Sequence, residues 1–226
     1  MRPEPRITVA REGYPLVGGA VGAGALALAL AAISPSWASA ALLALAIALL
    51  VAALFLLNFF RDPRRTPPSE EGAVVSPADG KVILVEPEVE ESRFLRKRAA
   101  KVSIFMSPID VHVNRAPVAG VVTGVHYNPG KFLAAFSEKA SLDNEQNAIV
   151  VRADDGRDVL FIQIAGLVAR RIVCRVRPGD RVERGQRVGM IKLGSRVDIF
   201  LTGRVTLRVK PGDRVTAGTS VLGVLT

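Results

Sequence analysis

The sequence predicts a mainly β domain, a sandwich or small barrel with an internal quasi-repeat, preceded by an N-terminal transmembrane helical hairpin. Three observations predict it. Residues 14–60 contain no Lys, Arg, Asp or Glu. Beyond residue 72, short β-branched runs are divided by Gly and Pro. Near the C-terminus a seven-residue segment recurs at an offset of 33.

The apolar region contains two stretches, 15–33 and 37–60, separated by Ser34-Pro35-Ser36. Each approaches or exceeds the roughly 20 residues that a helix needs to cross a bilayer core. The first is rich in Gly and Ala, which suits close helix packing. Arg2, Arg6 and Arg11 precede the pair, Arg61, Arg64 and Arg65 follow it, and the connecting loop has no charge. The positive-inside rule then places both outer ends, and the rest of the chain, on the cytoplasmic side of the cell membrane. A second apolar stretch directly after the first argues against a cleaved signal peptide. A single span with an interfacial first stretch is the alternative. Residues 1–13 form a tail and 61–72 a charged, Pro-rich linker unsuited to a helix or strand interior.

Within 73–226, runs such as Lys81-Val82-Ile83-Leu84-Val85, Val102-Ser103-Ile104-Phe105-Met106 and Ala148-Ile149-Val150-Val151 have the length and spacing of strands in an all-β domain. Residues 88–100 lack clean alternation and read as a loop or short helix. Val176-Arg177-Pro178-Gly179-Asp180-Arg181-Val182 is matched by Val209-Lys210-Pro211-Gly212-Asp213-Arg214-Val215. Pro-Gly-Asp is turn chemistry. The repeat resembles the hammerhead halves of lipoyl- and biotinyl-type domains. That resemblance implies a barrel-sandwich scaffold without a swinging arm, because no Lys sits between Met residues at a hairpin tip.

Nearly all of the +9 formal charge falls beyond residue 60. A basic soluble part calls for an anionic partner. With one Trp and two Tyr there is little to stack bases, so a membrane surface or phospholipid is expected and nucleic acid is not. The single Cys174 excludes an intramolecular disulfide and a multi-thiolate metal site, and no metal is expected.

Gly194-Ser195 is the critical pair. A Ser hydroxyl that reaches the preceding carbonyl carbon converts the amide to an ester, and Gly permits the geometry. Elimination would release the Gly194 carboxylate and leave dehydroalanine, which hydrolyses to a pyruvoyl group. Leu193-Gly194-Ser195 alone would be an ordinary turn.

Its company is more specific. Phe59-Phe60-Arg61-Asp62-Pro63, Ser76-Pro77-Ala78-Asp79-Gly80, Met106-Ser107-Pro108-Ile109-Asp110-Val111-His112, Asn128-Pro129-Gly130-Lys131-Phe132, Asn144-Glu145-Gln146-Asn147 and Lys192-Leu193-Gly194-Ser195 together resemble the phosphatidylserine decarboxylase family, in its short form. The resemblance covers essentially all of the chain beyond the membrane segment. It implies self-cleavage into a β subunit, 1–194, and an α subunit, 195–226, that stay together as a heterodimer, with a higher oligomer open. It also implies a covalent pyruvoyl cofactor derived from Ser195, and decarboxylation of phosphatidylserine to phosphatidylethanolamine through a Schiff base to that group.

Asp79 reads from its turn as an Asx-turn or cap residue; the resemblance implies a proton relay in processing. Alternation over 109–114 puts Asp110, His112 and Asn114 on one face. His112 is structural on base rates and a catalytic acid/base on the motif. Arg115 stands where longer relatives have a second His, and Arg196 where they have Thr, so the processing base is open between His112 and Asp79 acting with the backbone. Asn144, Glu145, Arg170 and Arg171 are candidate substrate-binding residues, the arginines for the phosphate or the bilayer surface, with a solvated basic face as their alternative. His126 reads as a strand residue and Cys174 as a small buried one. Two other functions compete: the same chemistry on another serine phospholipid of the archaetidylserine kind, and a non-enzymatic membrane-anchored barrel-sandwich adaptor.

Overall fold

The computed structural model describes residues 7–130, 144–166, 171–192 and 195–226. The chain divides into two compact units, Met1–Arg64 and Arg65–Thr226.

The first unit contains β1 (Ile7–Val9), α1 (Tyr14–Ile33), α2 (Ser36–Phe59) and β2 (Arg61–Pro63). Both helices are apolar on every side, the pattern of a helix that is not solvated along one face. They bury mainly small residues: Gly24, Ala27, Ala46 and Ala53. A Cβ on Gly24 would stand 3.5 Å from Leu49 Cβ, an ordinary van der Waals contact, so the helices meet there closely but with room for a methyl group. Leu26, Ile33, Trp37 and Leu54 remain exposed. Two helices of this length and hydropathy fit membrane association. Arg61–Pro63 departs from the expected linker, since it pairs antiparallel with Ile7–Val9. A two-stranded ribbon leaves Pro63 at an edge, where its missing N–H costs no ladder bond.

The second unit is mainly β. Its strands are β3 (Ala73–Val75), β4 (Gly80–Glu91), β5 (Lys97–Met106), β6 (Val113–Arg115), β7 (Gly120–Pro129), β8 (Glu145–Ala153), β9 (Asp158–Ala165) and β10 (Ile172–Cys174). They continue with β11 (Arg181–Val182), β12 (Arg187–Ile191), β13 (Ser195–Thr202), β14 (Val205–Leu207), β15 (Arg214–Val215) and β16 (Val221–Leu225). A curled sheet runs in the order β11-β7-β8-β9-β13-β5-β4-β15, beside two three-stranded sheets, β10-β12-β6 and β14-β16-β3. Alternate residues of the large sheet (Val102, Ile104, Ile149, Val151, Val197, Ile199) join Val74 and Leu222 of one small sheet and Val188 of the other in one core. At residues 88–100, where a loop or helix was expected, β4 and β5 form a hairpin. Bulges in their register blur the alternation, and the Glu91 carboxylate caps the turn by accepting from the N–H groups of Arg93, Phe94 and Leu95.

The two ends of the large sheet mirror each other. Val122 N donates to Asp180 O and Gly179 N to Val122 O; Val82 N donates to Asp213 O and Gly212 N to Val82 O. Arg115 N donates to Pro77 O while Val75 N donates to Pro117 O. Thus residues 76–82 correspond to 116–122, a second repeat that only Pro77/Pro117, Gly80/Gly120 and Val82/Val122 preserve in sequence. One half is continuous from β6 to β12. The other consists of β3 to β5 and resumes at β13. The continuous half is therefore inserted between Met106 and Ser195, which are register partners.

Candidate active site

The site forms where that insertion closes. Strand β13 is bonded on both edges, and Ser195 opposes Met106 of β5 and Ala165 of β9. Alternation sends Val197, Ile199 and Leu201 into the main core, and Ser195 shares their face. Its side chain is fully buried, and Oγ donates to Met106 Sδ at 3.3 Å. Gly194 and Leu193 lie outside the described residues.

A chain of buried amides reaches the same sulfur. Asn147 Nδ2 donates to Gln163 Oε1 at 2.9 Å, Gln163 Nε2 donates to Asn114 Oδ1 at 2.9 Å, and Asn114 Nδ2 faces Met106 Sδ at 3.8 Å. All three amides are at least 98% buried, so loss of any one would leave its partners desolvated and unpaired. Gly189 of β12 lets the small sheet approach this chain, since a Cβ there would lie 3.1 Å from Gln163 Nε2 and 2.2 Å from Val173 O.

His112 precedes β6, is fully buried, and sets Nδ1 2.9 Å from the backbone oxygen of Asp110. The expected common face of Asp110, His112 and Asn114 is not formed. Asp110 lies in a turn, where its carboxylate accepts from Ser107 N and Oγ and meets Arg214 at 2.7 Å. Regular alternation begins only at Val113. Arg115 is buried and donates to Gly185 O, inside the contact between the two repeat turns, where Gly185 and Gly218 approach each other. Asp79 accepts from Ala217 N at 2.7 Å and pairs with Arg65 at 2.9 Å. It thereby ties the segment before Ser195 to the segment after it.

On the far side of Ala165, Asn144 Nδ2 donates to Ala165 O at 2.7 Å. Glu145, next in sequence, accepts at Oε1 from Tyr127 Oη at 3.0 Å and Ile172 N at 3.2 Å. Desolvation and the adjoining Glu145 carboxylate raise the Tyr127 pKa, against the opposing charge of Arg171. Arg171 is exposed; Arg170 lies outside the described residues, as do Lys131 and Phe132. On the opposite face of β13, Arg196 and Asp198 form a bidentate ion pair whose side chains are 4% and 2% exposed, and Arg196 Nη2 also donates to Ser103 Oγ at 3.1 Å. His126 lies on β7 as expected, stacked on Phe94. Cys174 is only partly buried, its thiol 3.4 Å from Val176 O.

Sequence reading missed Met106, Gln163 and the Arg196–Asp198 pair. Gln163 carried a signal, a lone amide in the apolar run Val159-Leu160-Phe161-Ile162-Gln163-Ile164-Ala165.

A family model described as phosphatidylserine decarboxylase matches residues 52–223. A protein of Symbiobacterium thermophilum named phosphatidylserine decarboxylase proenzyme is 50% identical over 220 residues, 97% of each chain. Proteins of the same name from Desulfotalea psychrophila and Nitrosomonas europaea are 43% identical over 220 residues and 46% over 197. These cover 97% and 87% of this chain and 98% and 86% of their own. The chain is thus an enzyme of the decarboxylase class. It belongs to the phosphatidylserine decarboxylase family. The adaptor alternative has no support from these relatives.

Proposed function

We propose that this protein decarboxylates phosphatidylserine to phosphatidylethanolamine, using a pyruvoyl group that it makes from Ser195. Family membership supports the reaction. The observation that carries the mechanism is the setting of Ser195: a fully buried hydroxyl at the head of a strand bonded on both edges. The site suits a small uncharged carbonyl group, because the described neighbours of Ser195 on this face are the Met106 thioether and Ala165.

In processing, Ser195 Oγ attacks the Gly194 carbonyl carbon, and the Ser195 amide nitrogen becomes the amine of the ester. Loss of the Cα proton and departure of the Gly194 carboxylate follow, and hydrolysis releases ammonia. Strand pairing fixes the main chain after residue 194, and the bond to Met106 fixes the rotamer, so one partner of the reaction is pre-oriented. Asp79 is the processing residue in this reading, linked through Ala217 N to the new fragment. The fragments 1–194 and 195–226 stay associated because β13 to β16 pair with β3, β4, β5 and β9.

In turnover, the ketone supplies an electron sink for the electrons left at Cα when carbon dioxide departs. His112, buried beside β6, donates the proton that Cα then needs. Asn144 and Glu145 border the amine end of the substrate, and Arg170 and Arg171 take its phosphate. The α1–α2 pair holds the enzyme in the cell membrane, with the catalytic unit on the cytoplasmic side, so a lipid substrate is met in two dimensions. The repeated halves support a barrel-sandwich-like scaffold.

Denaturing mass spectrometry combined with carbon dioxide release from labelled phosphatidylserine tests this reading. Two fragments and release are expected from the wild type, one uncut chain and no release from Ser195→Ala. An intact, active wild-type chain rejects it.

A further inference from the structure

One buried acid in the site is only half satisfied. Glu145 is 4% exposed, and while Oε1 holds two donors, Oε2 is buried with no hydrogen-bond partner among the described residues. A buried carboxylate oxygen without a donor is costly and uncommon, and a functional site is one setting in which it is retained.

Its position gives it a use. Met106, Ser195 and Ala165 stand side by side on β5, β13 and β9. Gln146 opposes Ile164, so Glu145 continues the same row beside Ala165. Glu145 also has the parity of Asn147, Ile149 and Val151, which face the interior that Ser195 faces. Two strand spacings put the Cα atoms of Ser195 and Glu145 about 10 Å apart. The residue between them on this face is Ala165, whose side chain is a methyl group. In this row, therefore, only a methyl side chain separates the glutamate from residue 195.

The amine of an aminophospholipid is an ammonium ion at neutral pH and has no lone pair for attack. We propose that Glu145 Oε2 is the base that activates it. An N–H bond of the ammonium breaks and an Oε2–H bond forms; the freed nitrogen lone pair then bonds to the carbonyl carbon on residue 195 as the C=O π bond breaks, its electron pair passing to the carbonyl oxygen, which takes the proton back from Oε2. The Tyr127 hydroxyl and the Ile172 N–H hold Oε1, which leaves Oε2 as the oxygen that turns to the substrate. This rests on residue 195 carrying a ketone, and the experiment separates the two ideas.

Full-length wild type and Glu145→Gln, in detergent micelles, are first weighed under denaturing conditions to establish cleavage. Each is then treated with methoxyamine, which is neutral at neutral pH, or with ethanolamine plus cyanoborohydride, whose amine must lose a proton before it reacts. Mass gain on the 195–226 fragment is the readout. In Glu145→Gln, methoxyamine labelling is expected at the wild-type rate and ethanolamine labelling about 100-fold slower, the lower range for general base catalysis. Unchanged ethanolamine labelling overturns the proposal, and so does an equal fall for both probes, which reports a damaged pocket. A wild type inert to both probes rejects the ketone instead. If Glu145→Gln is not cleaved, Glu145→Asp takes its place, with ethanolamine labelling retained relative to methoxyamine. Failure of both variants to cleave assigns Glu145 to processing and overturns its role toward the amine.

Discussion

Ser195 and Met106, 89 positions apart, are cross-strand partners whose side chains meet at 3.3 Å. In a simple hairpin they would flank a turn. Here a complete structural half lies between them, and the bond proposed to break is the last one of that insertion. The pairing of β13 with both β5 and β9 makes the position of residue 195 independent of the covalent link before it.

Met106→Leu nearly conserves volume, so its stability cost should stay below about 1.5 kcal/mol. It removes the acceptor of the Ser195 hydroxyl, and self-cleavage should slow about tenfold, equivalent to about 1.4 kcal/mol of lost orientation. The half-time of fragment appearance by mass spectrometry measures this. An unchanged half-time would mean that Met106 merely fills space.

Gln163→Leu leaves Asn114 Oδ1 and the Asn147 Nδ2 donor without their present partners in a sealed interior. A loss of about 1–3 kcal/mol for each stranded group is expected. Thermal unfolding in detergent should show it. An apolar replacement that proves neutral would count against the amide chain as a structural unit.

Asp198→Asn strands the Arg196 charge, one residue from Ser195. Breaking one side of a buried pair costs about 3–5 kcal/mol, whereas replacing both partners with apolar residues is often neutral. The single variant should fall well below wild type in unfolding temperature, and Arg196→Met combined with Asp198→Leu should recover most of the difference. Equal stability of single and double variants contradicts this account.

Asp158 provides a pH test away from the reacting groups. Burial alone would raise its pKa, but Lys97 and Arg152, bonded at 2.8 and 2.9 Å, outweigh burial and hold it below the usual carboxylate range. The unfolded chain then takes up the proton first as pH falls. The stabilisation is therefore complete above the unfolded carboxylate pKa and disappears as pH drops through the folded one. Asp158→Asn should lower the unfolding temperature at neutral pH and converge on wild type in acid. Parallel curves would refute the assignment.

Ala-Leu-rich helices, Gly/Pro-divided strands and Pro-Gly-Asp turns act through their own backbone preferences, so the sequence alone determined the membrane-length helices, the mainly β class and half of the internal repeat. The set of motifs that includes Lys192-Leu193-Gly194-Ser195 likewise marked the family. Local pattern failed at Asp110, where side-chain capping overrides alternation, at 61–63, where a distant tail supplies a partner, and at 88–100, where bulges shift the phase. Only the tertiary structure decided that Met106 faces Ser195, that Gln163 joins Asn114 to Asn147, and that Glu145 shares their row. Those relations depend on cross-strand register between segments up to 89 residues apart, which is set by packing over the whole sheet and leaves little trace in any local stretch of chain.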